Sequence, residues 1–267
     1  MQTLRLGYAF ARSSLLIFLA HRLRYLIGVF NYVVYTAVSW YLCEAVFQKR
    51  DGAIATWGLQ EMQTYVSINW IVRSTYFSNS DNILAARINK GEIVSDLLRP
   101  SSLLLQFYSA AVGELIFRAL FMGLPVLLLV IGIFGLLPPA SVFDAACFVF
   151  SVVLAFHLFF AINFLTGMCA AFTEKLQGFI WAKFVLIQFL SGQFLPLDFY
   201  PASVKAVFDW LPFKGIGYTP MSIYLGRWDS TQIANELALQ AGWTIVLIVG
   251  CELAWRGVRR RMCVLGG

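Results

Sequence analysis

The chain has 267 residues, of which 60% are hydrophobic and 13% are charged, and its formal net charge at pH 7 is +6. A soluble globular protein carries about twice that share of charged residues, so the composition excludes an ordinary soluble domain and indicates a membrane protein with several spans. Basic loops at the inner membrane surface explain the positive charge more simply than nucleic-acid binding does. The five cysteines form no Cys-x-x-Cys pair, which argues against a disulfide framework or a zinc site.

The first predicted element is an amphipathic helix over residues 1–24, ahead of a membrane domain over residues 25–267. Its apolar core is shorter than that of a secretory signal, and basic residues follow at once. We expect the helix to lie in the inner interface of the membrane. Its apolar positions recur at helical spacing and are expected to face lipid: Leu4, Tyr8, Ala11, Leu15 and Phe18.

Six apolar segments are long enough to suggest membrane-spanning helices, in an all-α fold. They cover about residues 26–47, 62–80, 112–137, 145–172, 178–197 and 237–255. The second is the least apolar, since it contains Gln63, Asn69 and Arg73. Most Lys and Arg residues fall at the two termini, after the second segment and after the fourth. Because basic residues favour the cytoplasmic side, this distribution predicts that both termini are cytoplasmic.

The loop between the second and third segments contains a charged, amphipathic stretch, predicted as a helix over about residues 87–100. Apolar residues from Ile93 to Leu98 fall on one helical face, and charged residues from Glu92 to Arg99 fall on the other. Pro100 ends the helix. Such a helix is suited to dock in the groove of a soluble protein, although an interfacial linker remains the alternative. The predicted contact residues are Lys90, Glu92, Ile93, Asp96, Leu97 and Arg99.

The segment between the fifth and sixth spans is rich in proline and aromatic residues. Half of the eight prolines fall here: Pro196, Pro201, Pro212 and Pro220. The stretch is too aromatic for a free loop. We therefore expect residues 196–220 to re-enter the membrane or to lie on its outer interface.

Catalytic motifs are scarce, so the chain is not expected to be an enzyme. No nucleophile elbow, His-Glu-x-x-His or paired-aspartate motif is present, and no metal ligand set is predicted. The tetrapeptide ending at Gln193 matches the signature loop of ATP-binding-cassette ATPases. Because that loop works only beside a phosphate-binding loop, which the chain lacks, the match is interpreted as a coincidence.

Ionisable residues inside spans are candidates for function by default. Glu114 and Arg118 have the i, i+4 spacing of a helical ion pair. Arg73 is expected either to join Glu114 or to face a water-filled path. The alternative is that the acidic residues lie near the inner interface and reach water there.

The order of these elements resembles that of the ABC type-2 permease family. The residues that carry the resemblance are Gly91-Glu92 and Leu97-Leu98-Arg99-Pro100 between the second and third spans, and the proline-rich stretch over residues 191–201. They are most similar to a bacterial branch of the family. The resemblance implies that residues 87–100 form the coupling helix and that residues 1–24 form an elbow-like interfacial helix. It also implies that residues 196–220 form re-entrant helices.

The resemblance further implies a function and partners. It predicts the membrane-spanning permease subunit of an ATP-binding-cassette exporter in a bacterial inner membrane, paired with a second permease chain, identical or related. Cytoplasmic ATPase subunits would bind ATP and Mg, and this chain itself would bind no cofactor. Residues assigned to the translocation path are Tyr35, Asn69, Arg73 and Gln188. The alternative is an ATP-independent secondary transporter or channel subunit, which predicts inverted repeats and central ion pairs.

Overall fold

The computed structural model describes residues 2–20, 22–48, 56–99, 101–173 and 175–265, and residues 2–5, 18–20, 22–24, 26 and 261–265 are described by their backbone alone. Within this part of the chain the structure is helical and contains no β-strand, as predicted. Twelve α-helices are described: α1 Gln2–Ala20, α2 Arg22–Gln48, α3 Leu59–Tyr76, α4 Ser80–Asn89, α5 Ile93–Leu97, α6 Leu103–Arg118, α7 Leu124–Phe134, α8 Val142–Met168, α9 Gln177–Leu190, α10 Ala202–Phe208, α11 Tyr218–Tyr224 and α12 Ser230–Leu265.

Three helical segments are long and apolar enough to cross a membrane. They are Leu103–Phe134, Val142–Ala171 and Ser230–Arg260, and α9 is a shorter apolar helix. The first of the three consists of α6 and α7, which are joined without a break by a π-helical turn, Ala119–Gly123. These segments show a membrane protein built from apolar helices.

Several predicted boundaries differ from those observed. The third span was expected from residue 112, but its helix begins at Leu103, where the Ser102 hydroxyl accepts a bond from the Leu105 amide. The last helix runs over Ser230–Leu265 instead of residues 237–255, because polar residues extend it at both ends. Helix α9 ends at Leu190 and not near residue 197, since Gly192 follows with a positive φ of 70°.

The predicted helix over residues 87–100 is two helices in the structure. Residues 87–89 belong to α4, the chain turns at Gly91 with a φ of +72°, and α5 covers only Ile93–Leu97. A left-handed φ interrupts a helix, and glycine adopts it at little cost, so the single-helix prediction was wrong at this residue. Pro100, which was predicted to end the helix, lies outside the described residues.

Helix α1 packs against α6 at backbone distance. A Cβ atom added at Gly113 would lie 2.3 Å from the carbonyl oxygen of Ala11, so only glycine permits this approach. Tyr8 and Leu15 line the crevice between the two helices. Ala11, predicted to face lipid, therefore faces α6, because the small residues there let the helices meet. The side chains of Leu4 and Phe18 lie outside the description.

Helix α8 is the central element and links the two ends of the molecule. Its 27 residues extend about 40 Å at 1.5 Å per residue. Near its C-terminal end Gly167 packs against Asp81 of α4, and a Cβ there would lie 3.0 Å from the Asp81 carbonyl oxygen. Just before its N-terminal end, the Ala140 amide donates to the Tyr224 carbonyl of α11 at 3.1 Å. Helices α4 and α11 thus lie at opposite ends of α8.

Candidate functional site

The region from α4 to α5, residues 80–99, is called the bend. Its centre is Asp96, which is 1% exposed. The Asp96 carboxylate forms ion pairs with Arg87 of α4 and, at 3.5 Å, with Arg99. The Gln106 side chain donates to the Asp96 backbone carbonyl at 3.1 Å. These contacts join α4, α5 and α6, so α5 is held firmly although it has only five residues.

The residues predicted to dock fall on both sides of α5. Ile93 and Asp96 are buried within the bend, because residues three apart on this short helix face α4 and α6. Lys90, Glu92, Leu97 and Arg99 are exposed, Leu97 the least of them at 36%.

Two exposed apolar residues were not included in the predicted contact set. Val94 is 60% exposed and Leu98 is 83% exposed. The sequence placed both on the apolar face that was expected to dock, although neither was named among the contact residues. Their exposure follows from the burial of Asp96, because Arg87, nine residues away in sequence, pairs with it from α4.

A second polar group surrounds residues 77–79, where α3 ends and α4 begins; it is called the junction network. It consists of Ser78, Ser80, Asp81, Glu114, Arg118, Asn163 and Lys183. Lys183 of α9 donates to both Asp81 and Asn163. The Asn163 amide donates to the Ser78 carbonyl at 3.0 Å, and the Ser78 hydroxyl donates to Glu114 at 2.9 Å. The network therefore ties α4, α6, α8 and α9 to the end of α3.

The predicted trio of Arg73, Glu114 and Arg118 is divided in the structure. Arg118 Nε donates to Glu114 Oε1 at 2.8 Å, and both side chains are buried. Arg73 instead donates to the side-chain oxygen of Gln193, which precedes α10. Its guanidinium also lies over the Phe184 ring, 4.4 Å from the ring centroid.

Of the predicted path residues, the structure brings Tyr35 and Arg73 together around Trp70. The Tyr35 ring stacks on Trp70 with centroids 5.0 Å apart, and the Arg73 guanidinium lies 5.6 Å from the Trp70 centroid. Asn69 is buried, and its side-chain nitrogen has no hydrogen-bond partner among the described residues. Gln188 is partly exposed on α9 and lies apart from both cavities described below.

Two cavities lie along α3. The larger is about 360 Å³ and mainly apolar, and it is formed by α2, α3 and residues 193–199; Met62, Val66, Trp70 and Gln193 are among its lining residues. The smaller is about 40 Å³ and is lined by Arg73 and Lys183 together with residues of the junction. Arg73 lines the smaller cavity and Gln193 lines the larger, so the hydrogen bond between them lies where the two cavities approach each other.

Residues 191–228, called the proline segment, are organised around Asp198. The Trp57 indole donates to Asp198 at 3.1 Å, the Tyr218 hydroxyl donates at 2.9 Å, and Lys205 forms an ion pair with it. Burial by itself would raise the pKa of Asp198, but the hydrogen bonds from Lys205, Tyr218 and Trp57 outweigh burial and lower the pKa below its ordinary value.

The proline segment also reaches into the helix bundle. The Gln240 side chain of α12 donates to the Gly215 carbonyl at 2.8 Å and to the Ser151 carbonyl of α8 at 2.8 Å. A Cβ at Gly215 would lie 2.9 Å from Leu158 in the middle of α8. The segment therefore contacts buried positions on α8 and α12.

Sequence reasoning missed four polar residues that the structure brings to these sites: Asp81, Asn163, Lys183 and Gln193. In the sequence, Lys183 belongs only to the basic residues that follow the fourth apolar segment, and Gln193 only to the tetrapeptide interpreted as a coincidence. The available signal was a polar residue in each of two adjacent apolar segments, Asn163 and Lys183, since such residues usually have partners.

A comparison with protein families identifies the family of this chain. The model of the ABC-2 family transporter protein matches residues 33–263. No curated protein matches the chain by sequence. The family match includes the bend, the junction network, both cavities and the proline segment. The chain therefore belongs to the ABC-2 family of transporter proteins, and it is a multi-pass membrane component and not itself a catalyst.

Proposed function

We propose that the chain is the membrane-spanning permease subunit of an ATP-driven exporter. In this proposal a second permease chain supplies the other half of the translocation path, and a separate ATPase binds ATP and Mg and docks on the bend. The family match supports the transport role. The observation that carries the docking role is the exposed apolar pair, Val94 and Leu98, on a firmly held short helix.

The proposed topology has six crossings, made by α2, α3, α6 with α7, α8, α9 and α12. Helix α9, with 14 residues, extends only about 21 Å, so residues 191–197 complete that crossing. The proline segment then re-enters from the outer side, in line with its contacts to the middle of α8. The bend and the basic end of α12 form one cavity, lined by Arg99, Arg256 and Arg259 among others. This supports a common side for the bend and the end of α12, which we place in the cytoplasm. We assign the membrane itself as a bacterial inner membrane.

An exposed apolar pair on a rigid tip suits a partner better than it suits water. A single exposed leucine is ordinary on a protein surface. Here Val94 and Leu98 stand together between the exposed charges of Glu92 and Arg99, which gives an apolar centre with a charged rim. Helices with this arrangement fit hydrophobic grooves in soluble proteins.

Movement of the bend would reach the spans through α4. Gly167 of α8 contacts Asp81 and Leu84 of α4 so closely that a Cβ would lie 3.0 Å from both residues. Asp81 also holds Lys183 of α9. Closure of an ATPase pair would thus shift α4, and α4 would shift α8 and α9 with it.

Co-purification with an ATPase tests the proposal. We expect the tagged wild-type chain, extracted in detergent, to bring down a subunit with Mg-dependent ATP hydrolysis. The variant V94D/L98D should reach the membrane in normal amounts but lose most of this activity, because two carboxylates replace the apolar contact. The V207D variant is the matched control, since Val207 is 59% exposed on α10 in the proline segment.

The outcomes separate the candidate functions. Retention of the ATPase by V94D/L98D would disprove docking through the bend. A well-folded wild-type chain that never brings down ATP hydrolysis would instead favour the ATP-independent carrier or channel.

A further inference from the structure

The charges that lie buried or half-buried around the end of α3 do not balance. Three cations lie there, Arg73, Arg118 and Lys183, against two carboxylates, Glu114 and Asp81. Arg118 pairs with Glu114, and Lys183 pairs with Asp81. No carboxylate of the described residues lies within 4.0 Å of the Arg73 guanidinium. One positive charge is therefore left over at Arg73, which is 4% exposed.

The neighbours of Arg73 are neutral. Its guanidinium donates to the Gln193 amide oxygen. Its other neighbours are the faces of Trp70, Phe77 and Phe184, at 5.6, 5.8 and 4.4 Å from the guanidinium carbon. Aromatic faces attract a cation, but they offset only part of the cost of removing it from water. An anion beside Arg73 would remove the imbalance.

The structure has space for such an anion. The cavity of about 40 Å³ is lined by Arg73, Lys183 and Asp81. Because Lys183 pairs with Asp81, the positive charge that faces this small volume without a carboxylate is that of Arg73. Asn79, which is exposed, also lines this cavity and marks its open side. A volume of this size holds a small charged group and not a whole substrate.

The larger cavity is mainly apolar, so it complements the charged lining of the smaller one. It is about 360 Å³, close to the lower limit of small-molecule sites, and its lining is mainly apolar. Trp70 and Gln193 line it on the side of Arg73. An anion that replaces Gln193 as the acceptor for Arg73 would separate the two side chains that stand between the cavities.

We propose that the substrate is an amphipathic anion, whose carboxylate or phosphate head binds Arg73 and Lys183 and whose apolar tail occupies the cavity lined by Met62, Val66 and Trp70. This assignment of a substrate class rests on the proposed transport function. Arginine forms paired hydrogen bonds with both kinds of head group, and the Lys183 ammonium adds a hydrogen-bond donor while it remains paired with Asp81.

Quenching of Trp70 fluorescence tests the proposal. The probe is ω-bromododecanoate, whose bromine quenches a tryptophan in contact with the tail, and the neutral control is ω-bromododecanol. In a neutral maltoside detergent we expect saturable quenching by the acid and only partition-driven quenching by the alcohol. The W70F variant should lose the saturable part. Dodecyl phosphate and dodecanoate should both compete, and the stronger competitor identifies the head group.

Variants of Arg73 separate binding from a structural role. R73Q should weaken the probe about tenfold or more, the scale of a charge-assisted hydrogen bond, whereas R73K should retain most of the binding. R256Q is the matched control, because it removes one exposed positive charge outside both cavities and should leave binding unchanged. Without probe, R73Q should melt at the same temperature as the wild type or higher, because it removes an unbalanced buried charge.

Two results overturn the proposal. One is equal quenching by the acid and the alcohol on the wild-type chain. The other is saturable binding of the acid that R73Q leaves intact. Because the probe is measured on the isolated chain, its failure leaves the co-purification of an ATPase unaffected, and loss of that co-purification leaves the probe result standing.

Discussion

The bend and the proline segment lie at opposite ends of α8, and each is organised by one aspartate. Asp96 forms ion pairs with Arg87 and Arg99. Asp198 accepts hydrogen bonds from Trp57, Lys205 and Tyr218. The aspartates thus have the same role in holding short helices in place, but the apolar residues around them are arranged in opposite ways.

The difference concerns where the leucines lie. Leu197, next to Asp198, is 0% exposed, whereas Leu98, close to Asp96, is 83% exposed. Around Asp198 the proline segment buries Leu197, Ile216 and Met221 inside the chain, although Val207 and Trp210 farther along the segment are exposed. The bend leaves apolar residues outside, so its stability does not depend on them. A turn centred on an aspartate can therefore add to the buried core or form a contact surface. Which of the two it does depends on whether the neighbouring leucine points inward, as Leu197 does, or outward, as Leu98 does.

The largest expected effect comes from the buried leucine. L197A should destabilise the chain by about 2–5 kcal/mol, because it removes buried methyl groups and leaves a cavity. L98A is the matched control and should change stability by less than about 0.5 kcal/mol, because the side chain contacts mainly solvent in the isolated chain. Thermal unfolding in detergent measures both. Equal losses of stability in L197A and L98A would show that Leu98 is packed inside the chain as Leu197 is.

The next effect distinguishes the two aspartates. D198N should destabilise the chain by about 1–3 kcal/mol, because it leaves the buried donors of Trp57 and Tyr218 poorly satisfied. D96N should cost less, since the side chains of Arg87 and Arg99 are 37% and 46% exposed and can turn to water. Comparing unfolding temperatures under one set of conditions checks this order. A larger loss for D96N would reverse the comparison.

The smallest effect is the dependence of stability on pH that arises from Asp198 in the proline segment. The pKa of Asp198 is lowered in the folded chain, so its contribution is present above the unfolded value of about 3.9 and is lost as pH falls through the folded value. We therefore expect this contribution to be constant from pH 7 to pH 5 and to decrease below about pH 4. D198N should remove this acid-dependent part, as melting temperatures across the pH range will show. An unchanged acid profile in D198N would assign the loss to other carboxylates.

Much of the fold follows from patterns that are local in sequence. Apolar segments had to become helices, because a helix satisfies its own backbone hydrogen bonds in lipid. The Glu114–Arg118 ion pair was predictable from its i, i+4 spacing, and the structure contains it at 2.8 Å. The division of residues 87–100 into two helices was less accessible, because Gly91 is compatible with a helix until its positive φ is seen.

The candidate sites depend on contacts between residues far apart in sequence. Arg73 meets Gln193 across 120 residues, and Lys183 meets Asp81 across 102 residues. No periodicity connects such pairs, so sequence reasoning left Arg73 with Glu114 as its nearest candidate partner. The imbalance of charge at Arg73 became visible only when each carboxylate was found with another cation.

The sequence by itself determined that this protein is an all-helical membrane transporter component, since composition, apolar segments and the order of short motifs are all written along one chain. Tertiary structure decided which side chains face inward. Asp96 is buried because Arg87 and Gln106 reach it from neighbouring helices, and Val94 and Leu98 are exposed as a consequence. Burial is a property of packed neighbours, and packing brings together residues that no local pattern relates.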